Sequence, residues 1–172
     1  MRMGPRIAVG SLSLTAAGLI SIATWEGFKD EAYIPVEGDV PTIGFGSTEG
    51  VKLGDTISVP DALNRLEKDV RVAEDAVRSC VTVPLTQGEM DAYTSLAYNI
   101  GKTNFCGSTL VKKLNSGDYS GACEEIKRWT CASDPSGKYA VMYPGHHCGA
   151  GKAPLPGLVE RRAKEYAWCM GQ

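Results

Sequence analysis

The chain has 172 residues, of which 43% are apolar and 22% charged; this suits one soluble globular domain or a small two-lobed one. A formal net charge of −2 gives no global pull toward nucleic acid, so no nucleic-acid partner is expected. Six cysteines, none in CxxC spacing, argue against a zinc ribbon or a dithiol redox site and point to disulfides in an oxidising compartment.

Met1 to Arg6 carries Arg2 and Arg6 and no acid. Ile7 to Trp25 then runs without a charge, IAVGSLSLTAAGLISIATW. A basic start before an uncharged run of this length is an export or membrane signal. The run is a poor hydrocarbon anchor, because Gly10, Ser11, Ser13, Thr15, Gly18, Ser21 and Thr24 dilute it. Small polar residues lower the transfer gain, so the segment can leave a bilayer at tolerable cost. Ser21-Ile22-Ala23 loosely fits a signal-peptidase site, but cleavage there would leave Glu26 at the extreme N-terminus with no helix behind it.

Trp25 to Ser47, WEGFKDEAYIPVEGDVPTIGFGS, is the chemically richest stretch. Glu26 ends the apolar run. A short strand-like piece, Ala32-Tyr33-Ile34, and a turn follow; Asp39 and Thr42 come next. Ile43-Gly44-Phe45-Gly46 alternates apolar residues with Gly, as in a strand with another backbone close by. Two carboxylates and a hydroxyl on a helix end and a hairpin outline an acid/base constellation. Glu26 follows Ile22, Ala23 and Trp25, an apolar setting expected to favour its protonated form; Asp39, in a Gly-flanked turn, is expected to stay charged. Glu37 competes with Asp39 as the second carboxylate, and the bland alternative is a solvated helix end beside an ordinary turn former.

Val51 to Ser58 reads as a third short strand. Pro60-Asp61 opens an amphipathic helix with Leu63, Leu66, Val70, Ala73 and Val77 on its apolar face. Thr86-x-x-Glu89 is a capping box for a helix that is apolar or small almost all round, GEMDAYTSLAYNIG, expected to be the buried centre of the larger lobe. Asn99 near its end reads equally as a substrate contact or as part of a helix C-cap. Ser108 to Asn115 and Asp118 to Thr130 read as two further helices. Ala132 to Ala153 reads as a long loop with turn chemistry throughout. His146 and His147 in that loop lack partners at ligand spacing, so no metal is expected. Pairing among Cys80, Cys106, Cys123, Cys131, Cys148 and Cys169 is left open by the sequence; Cys131 with Cys148 is favoured because the two bracket this loop. Pro156 starts a last helix, whose Leu158, Val159, Ala163, Tyr166, Ala167 and Met170 form the expected inner face.

Three stretches together resemble the phage-type lysozymes of glycoside hydrolase family 24, which include bacteriophage endolysins. They are Glu26 followed by Asp39 and Thr42-Ile43-Gly44-Phe45-Gly46, then Leu96-Ala97-Tyr98-Asn99-Ile100-Gly101, then Gly157-Leu158-x-x-Arg161-Arg162 with Glu165. The common family spacing puts the Asp where this chain has Pro35; Gly38-Asp39-Val40-Pro41-Thr42 is similar to a variant with a longer turn. The resemblance implies an α+β, lysozyme-like fold, with a small lobe holding a short antiparallel β-sheet and a larger, mostly helical lobe. It implies a cofactor-free, monomeric muramidase acting on peptidoglycan glycan strands, with Glu26 as general acid, Asp39 and Thr42 handling the water, and Asn99 touching substrate. It further resembles the signal-anchor-release endolysins. Residues 1–24 would then be an uncleaved export segment and residues 25–172 the muramidase domain, tethered to the inner membrane and later released into the periplasm. In the released form the segment is expected to pack on the body as a helix. A lytic transglycosylase, which needs only the Glu, and a catalytically inactive glycan- or protein-binding domain are the alternatives.

Overall fold

A computed structural model gives the architecture and describes residues 4–35, 38–134, 137–142 and 148–172. Helix α1 (Ala16–Glu26) leads into an antiparallel hairpin of β1 (Lys29–Tyr33) and β2 (Thr42–Gly44), with Lys29 opposite Gly44 and Tyr33 opposite Thr42. The long α2 (Val59–Cys80) joins this small lobe to the helical lobe. That lobe comprises α3 (Gln87–Ile100), α4 (Lys102–Gly107), α5 (Thr109–Asn115) and α6 (Tyr119–Ile126). It ends with β3 (Cys131–Ser133), α7 (Lys138–Met142), β4 (Lys152–Pro154) and α8 (Pro156–Cys169). The architecture is mixed α+β, with a small antiparallel hairpin beside a larger, mostly helical lobe.

α3 is the axis of the larger lobe. Thr86 and Glu89 satisfy one another's backbone N–H groups at its start, and Met90, Tyr93, Leu96 and Ala97 are buried along it. α2 and α8 pack against it, and Phe105, Leu110, Leu114 and Ile126 complete the core. α2 buries Leu66, Val70, Ala73 and Val77 as its spacing predicts, but Leu63 is exposed. Ala62 takes the inward place instead: a methyl on Gly44 of β2 would lie 3.0 Å from Ala62 Cβ. At φ +65° Gly44 also holds a backbone geometry that favours glycine, so strand and helix meet closely there.

Two expected elements differ. Residues 51–58 contribute only a bridge between Thr56 and Glu31, because Lys52 and Asp55 close a turn through both backbone and side chain. The expected long loop at 132–153 is organised at its base: β3 and β4 pair with Cys131 opposite Pro154 and Ser133 opposite Lys152, and α7 lies between them. Three disulfides are formed. Cys80–Cys106 ties the end of α2 to α4, Cys123–Cys169 ties α6 to α8, and Cys131–Cys148 closes the base of the excursion.

The N-terminal run packs on the body as a single 3-10 turn at Val9–Ser11 and then, from Ala16, as an α-helix. Ile7 pairs with Leu85 through two backbone hydrogen bonds, and Leu12 is buried in the core. The helix starts late because carboxylates from the body take the backbone first. The Leu14 N–H donates to Glu74, while the N–H and hydroxyl of Thr15 donate to Asp91 at 2.9 and 2.7 Å. Thr15 in turn caps Gly18 N. The Arg6 guanidinium binds Glu89 at 2.7 Å and lies over the Tyr119 ring. Among the described residues, no helix is long and apolar enough to cross a membrane.

Candidate active site

Glu26 occupies the last turn of α1, and its side chain is 23% exposed. Its Oε1 accepts from Arg161 Nη1 of α8 at 2.8 Å. Arg161 is almost fully buried and its other donors are engaged: Nε to Glu165 Oε1 at 3.2 Å and Nη2 to the Ser95 carbonyl at 3.3 Å. The Ser95 hydroxyl donates to Glu165 at 2.6 Å, and Arg162 Nη2 donates to the same carboxylate at 2.9 Å. Glu26, Arg161, Glu165 and Arg162 thus form a chain of alternating sign whose two acids and two guanidiniums cancel. Burial pushes the Glu165 carboxyl up, against the pull of Arg162 and Arg161. Burial likewise pushes the Arg162 guanidinium down, to about 10. Removing one member would strand an opposite charge in the interior.

The hairpin closes over the other side of Glu26. A methyl on Gly46 would stand 3.4 Å from Glu26 Oε2 and 4.0 Å from the Tyr98 hydroxyl, so a side chain there would crowd the carboxyl. Tyr98 donates to the Phe45 carbonyl at 3.3 Å, pinning the turn to α3. Its phenol is pushed up by burial first and by the nearby Glu26 charge second. The Phe28 and Phe45 rings pack at 5.4 Å beside this turn.

Beside Glu26 opens a cleft of about 450 Å³, lined by Trp25, Glu26, Asn99, Tyr139, Leu155 and Arg161 among others. This is the size range of a small-molecule site, and its mix of apolar wall and few polar groups is typical of one. The sequence of the family described as phage lysozyme matches residues 23–165 of the chain.

The chain belongs to the phage lysozyme family.

Its relatives extend over nearly the whole sequence. The endolysin of Acyrthosiphon pisum secondary endosymbiont phage 1 is 38% identical over 156 residues, 91% of this chain and 97% of that one. The SAR-endolysin of Pseudomonas phage phiKMV is 32% identical over 155 residues, 90% of this chain and 87% of the other. Among solved structures, the endolysin from Escherichia coli O157:H7 phage FAHEc1 superposes with a TM-score of 0.76 at 30% identity, covering 98% and 96% of the two chains. This phage lysozyme is therefore an endolysin with a lysozyme-type glycosidase fold.

The sequence-predicted site residues of this phage lysozyme are placed unevenly. Glu26 and Asn99 share the cleft. Asp39 and Thr42 are not among its lining residues. Asp39 is exposed in the hairpin turn and accepts from Val40 N at 2.9 Å; Thr42 is buried and donates to the Val40 carbonyl at 3.1 Å. Glu37, His146 and His147 lie outside the described residues. The apolar setting expected around Glu26 is only half present: Trp25 is there, but a guanidinium abuts the carboxyl. Arg161, Tyr98 and Tyr139 were not expected at the site. A signal for Arg161 existed, since a basic pair at 161–162 beside Glu165 interrupts the apolar face of α8. Among the described residues no cluster of His, Cys, Asp and Glu is suited to a metal ion.

Proposed function

We propose that this phage lysozyme hydrolyses the β-1,4 bond between N-acetylmuramic acid and N-acetylglucosamine in peptidoglycan, with Glu26 as the proton donor. The observation that carries this reading is the Glu26 carboxyl in the cleft, held on one oxygen by Arg161. Because Oε1 accepts from the guanidinium, the transferable proton belongs on Oε2, on the side of Gly46 and Tyr98. Donation to the glycosidic oxygen breaks the bond: one sugar departs as an alcohol, and positive charge develops on the ring that keeps the anomeric carbon. Water then adds from the opposite face, activated by Asp39 and held by Thr42, while the Asn99 amide binds a sugar substituent. This division matches an inverting glycosidase, in which a water sits between the carboxyls. The chemistry calls for no cofactor.

Residues 1–24 act, in this reading, as an uncleaved export segment. It tethers the enzyme to the inner membrane, and the enzyme becomes periplasmic when the segment leaves the bilayer and docks as described above. Tethering draws Glu26 to the membrane surface and away from Arg161, which keeps the enzyme silent. The mature enzyme acts as a monomer.

The decisive test is digestion of purified peptidoglycan by wild type and Glu26→Gln, with mass spectrometry of the products. Fragments carrying an added water are expected from wild type and none from the variant. Anhydro-sugar ends would replace hydrolysis by transglycosylation, and wall clearance by Glu26→Gln would remove the enzyme reading. For the export segment, fractionation before and after membrane depolarisation should move the intact chain from membrane to soluble fraction. A mature protein beginning near Thr24 would refute release.

A further inference from the structure

Among the described residues the excursion between α6 and α8 buries little apolar surface beyond Ala153, yet it reaches the cleft. Its base is the β3–β4 pair, crossed by Cys131–Cys148. The exit strand is fixed again where Leu155 N donates to the Thr130 carbonyl at 3.0 Å. From this base α7 carries Tyr139 into the lining of the Glu26 cleft. Its placement is specific. The Tyr139 N–H donates to Asp134 Oδ2 at 2.9 Å, and Asp134, itself buried, donates its N–H to the Gly151 carbonyl at 2.9 Å. Tyr139 is therefore referenced, through one carboxylate, to the strand pair that the disulfide closes.

The chemistry of this position suits a sugar. Glu26, Asn99 and Arg161 supply the polar side of the cleft; Trp25 and Tyr139 supply its aromatic rings. A pyranose ring presents polar edges and C–H-rich faces. An aromatic side chain takes such a face with little conformational cost and keeps a hydroxyl for the wet edge. Tyr139 is half-buried, so part of its surface remains available to a ligand.

We infer that Tyr139 is a sugar-binding residue of this cleft, and that the disulfide-closed excursion is the frame that holds it there, so glycan affinity depends on Cys131–Cys148 being formed. The inference rests on the glycan-cleaving function proposed above, but it concerns binding and is testable apart from turnover. The probe is a soluble, peptide-free tetrasaccharide of alternating N-acetylglucosamine and N-acetylmuramic acid, titrated calorimetrically into the full chain. Kinetics on isolated peptidoglycan run in parallel.

Tyr139→Ala is expected to weaken binding about tenfold and to raise KM alike, with kcat within about twofold; Tyr139→Phe keeps most of the affinity. The double variant Cys131→Ser with Cys148→Ser should show the same loss while the melting of the helical core is retained. Adding Tyr139→Ala to it should cost nothing further, because both changes remove one interaction. Unchanged binding in Tyr139→Ala overturns the role of Tyr139. Additive losses overturn the role of the disulfide as its frame. Wild-type chain that binds the tetrasaccharide but cleaves no peptidoglycan would defeat the proposed hydrolysis and leave this inference standing.

Discussion

The two carboxylates proposed to share the chemistry are held in opposite ways. Glu26 ends a helix, accepts from a buried guanidinium on a helix 135 residues further along, and is walled by Gly46 and Tyr98. Asp39 stands exposed in a turn, and its bond to the adjacent Val40 N–H is local. The fold thus concentrates long-range contacts on the proposed proton donor and leaves the proposed water-handling partner to a loop. A donor must meet one oxygen at one angle, whereas a group that orients water can adjust when substrate fills the cleft.

The comparison can be broken most sharply at Glu26. Glu26→Gln should lower kcat on peptidoglycan about a thousandfold, roughly 4 kcal/mol of barrier; the amide oxygen still accepts from Arg161, so melting falls by less than for loss of the guanidinium. Next in size is Arg161→Met. It leaves Glu26 and Glu165 without their shared cation, and breaking a buried ion network of this kind costs about 3 kcal/mol; thermal melting reads it directly. An Arg161→Met chain as stable as wild type would show that α8 does not hold the donor.

Asp39→Ala sharpens the contrast from the other side. Activity should fall about a hundredfold, with stability inside about 0.5 kcal/mol of wild type, as befits an exposed turn residue. Loss confined to Glu37→Ala in a parallel assay would transfer the role to that neighbour. The smallest effect belongs to a control remote from both. Glu125 is held below the usual carboxylate range, first by its hydrogen bond from Lys113. A depressed folded value adds stability that is complete above the ordinary carboxyl pKa of about 4.3 and lost as pH falls through the lower one. Melting curves from neutral to acid pH should therefore show a shallower acid-side fall for Glu125→Gln than for wild type, with turnover at neutral pH unaffected.

How far the sequence could be read follows the same divide. The place of Glu26 at a helix end was legible because an uncharged run meets a Gly-rich hairpin there, and α3 because Thr86 and Glu89 announce its start. Arg161 as its partner was not, since an arginine on an amphipathic helix reads as solvated until the facing helix is known. The start of α1 was misread for a related reason. Thr15 caps the helix locally, but what holds the backbone extended before it is Glu74 and Asp91, from 60 and 76 residues away. The paired base of the excursion escaped because its strands are three residues each and its turn-forming composition masked them.

The body meets the N-terminal run with carboxylates. Glu74, Glu89 and Asp91 grip that run by its amide groups, by Thr15 and by Arg6. With the run elsewhere, these acids would stand beside the apolar residues that the run covers, Leu66, Val70 and Val77 among them. In the tethered form proposed above, that mixed surface would stay partly wettable, and its charges would be the first groups to meet a returning leader.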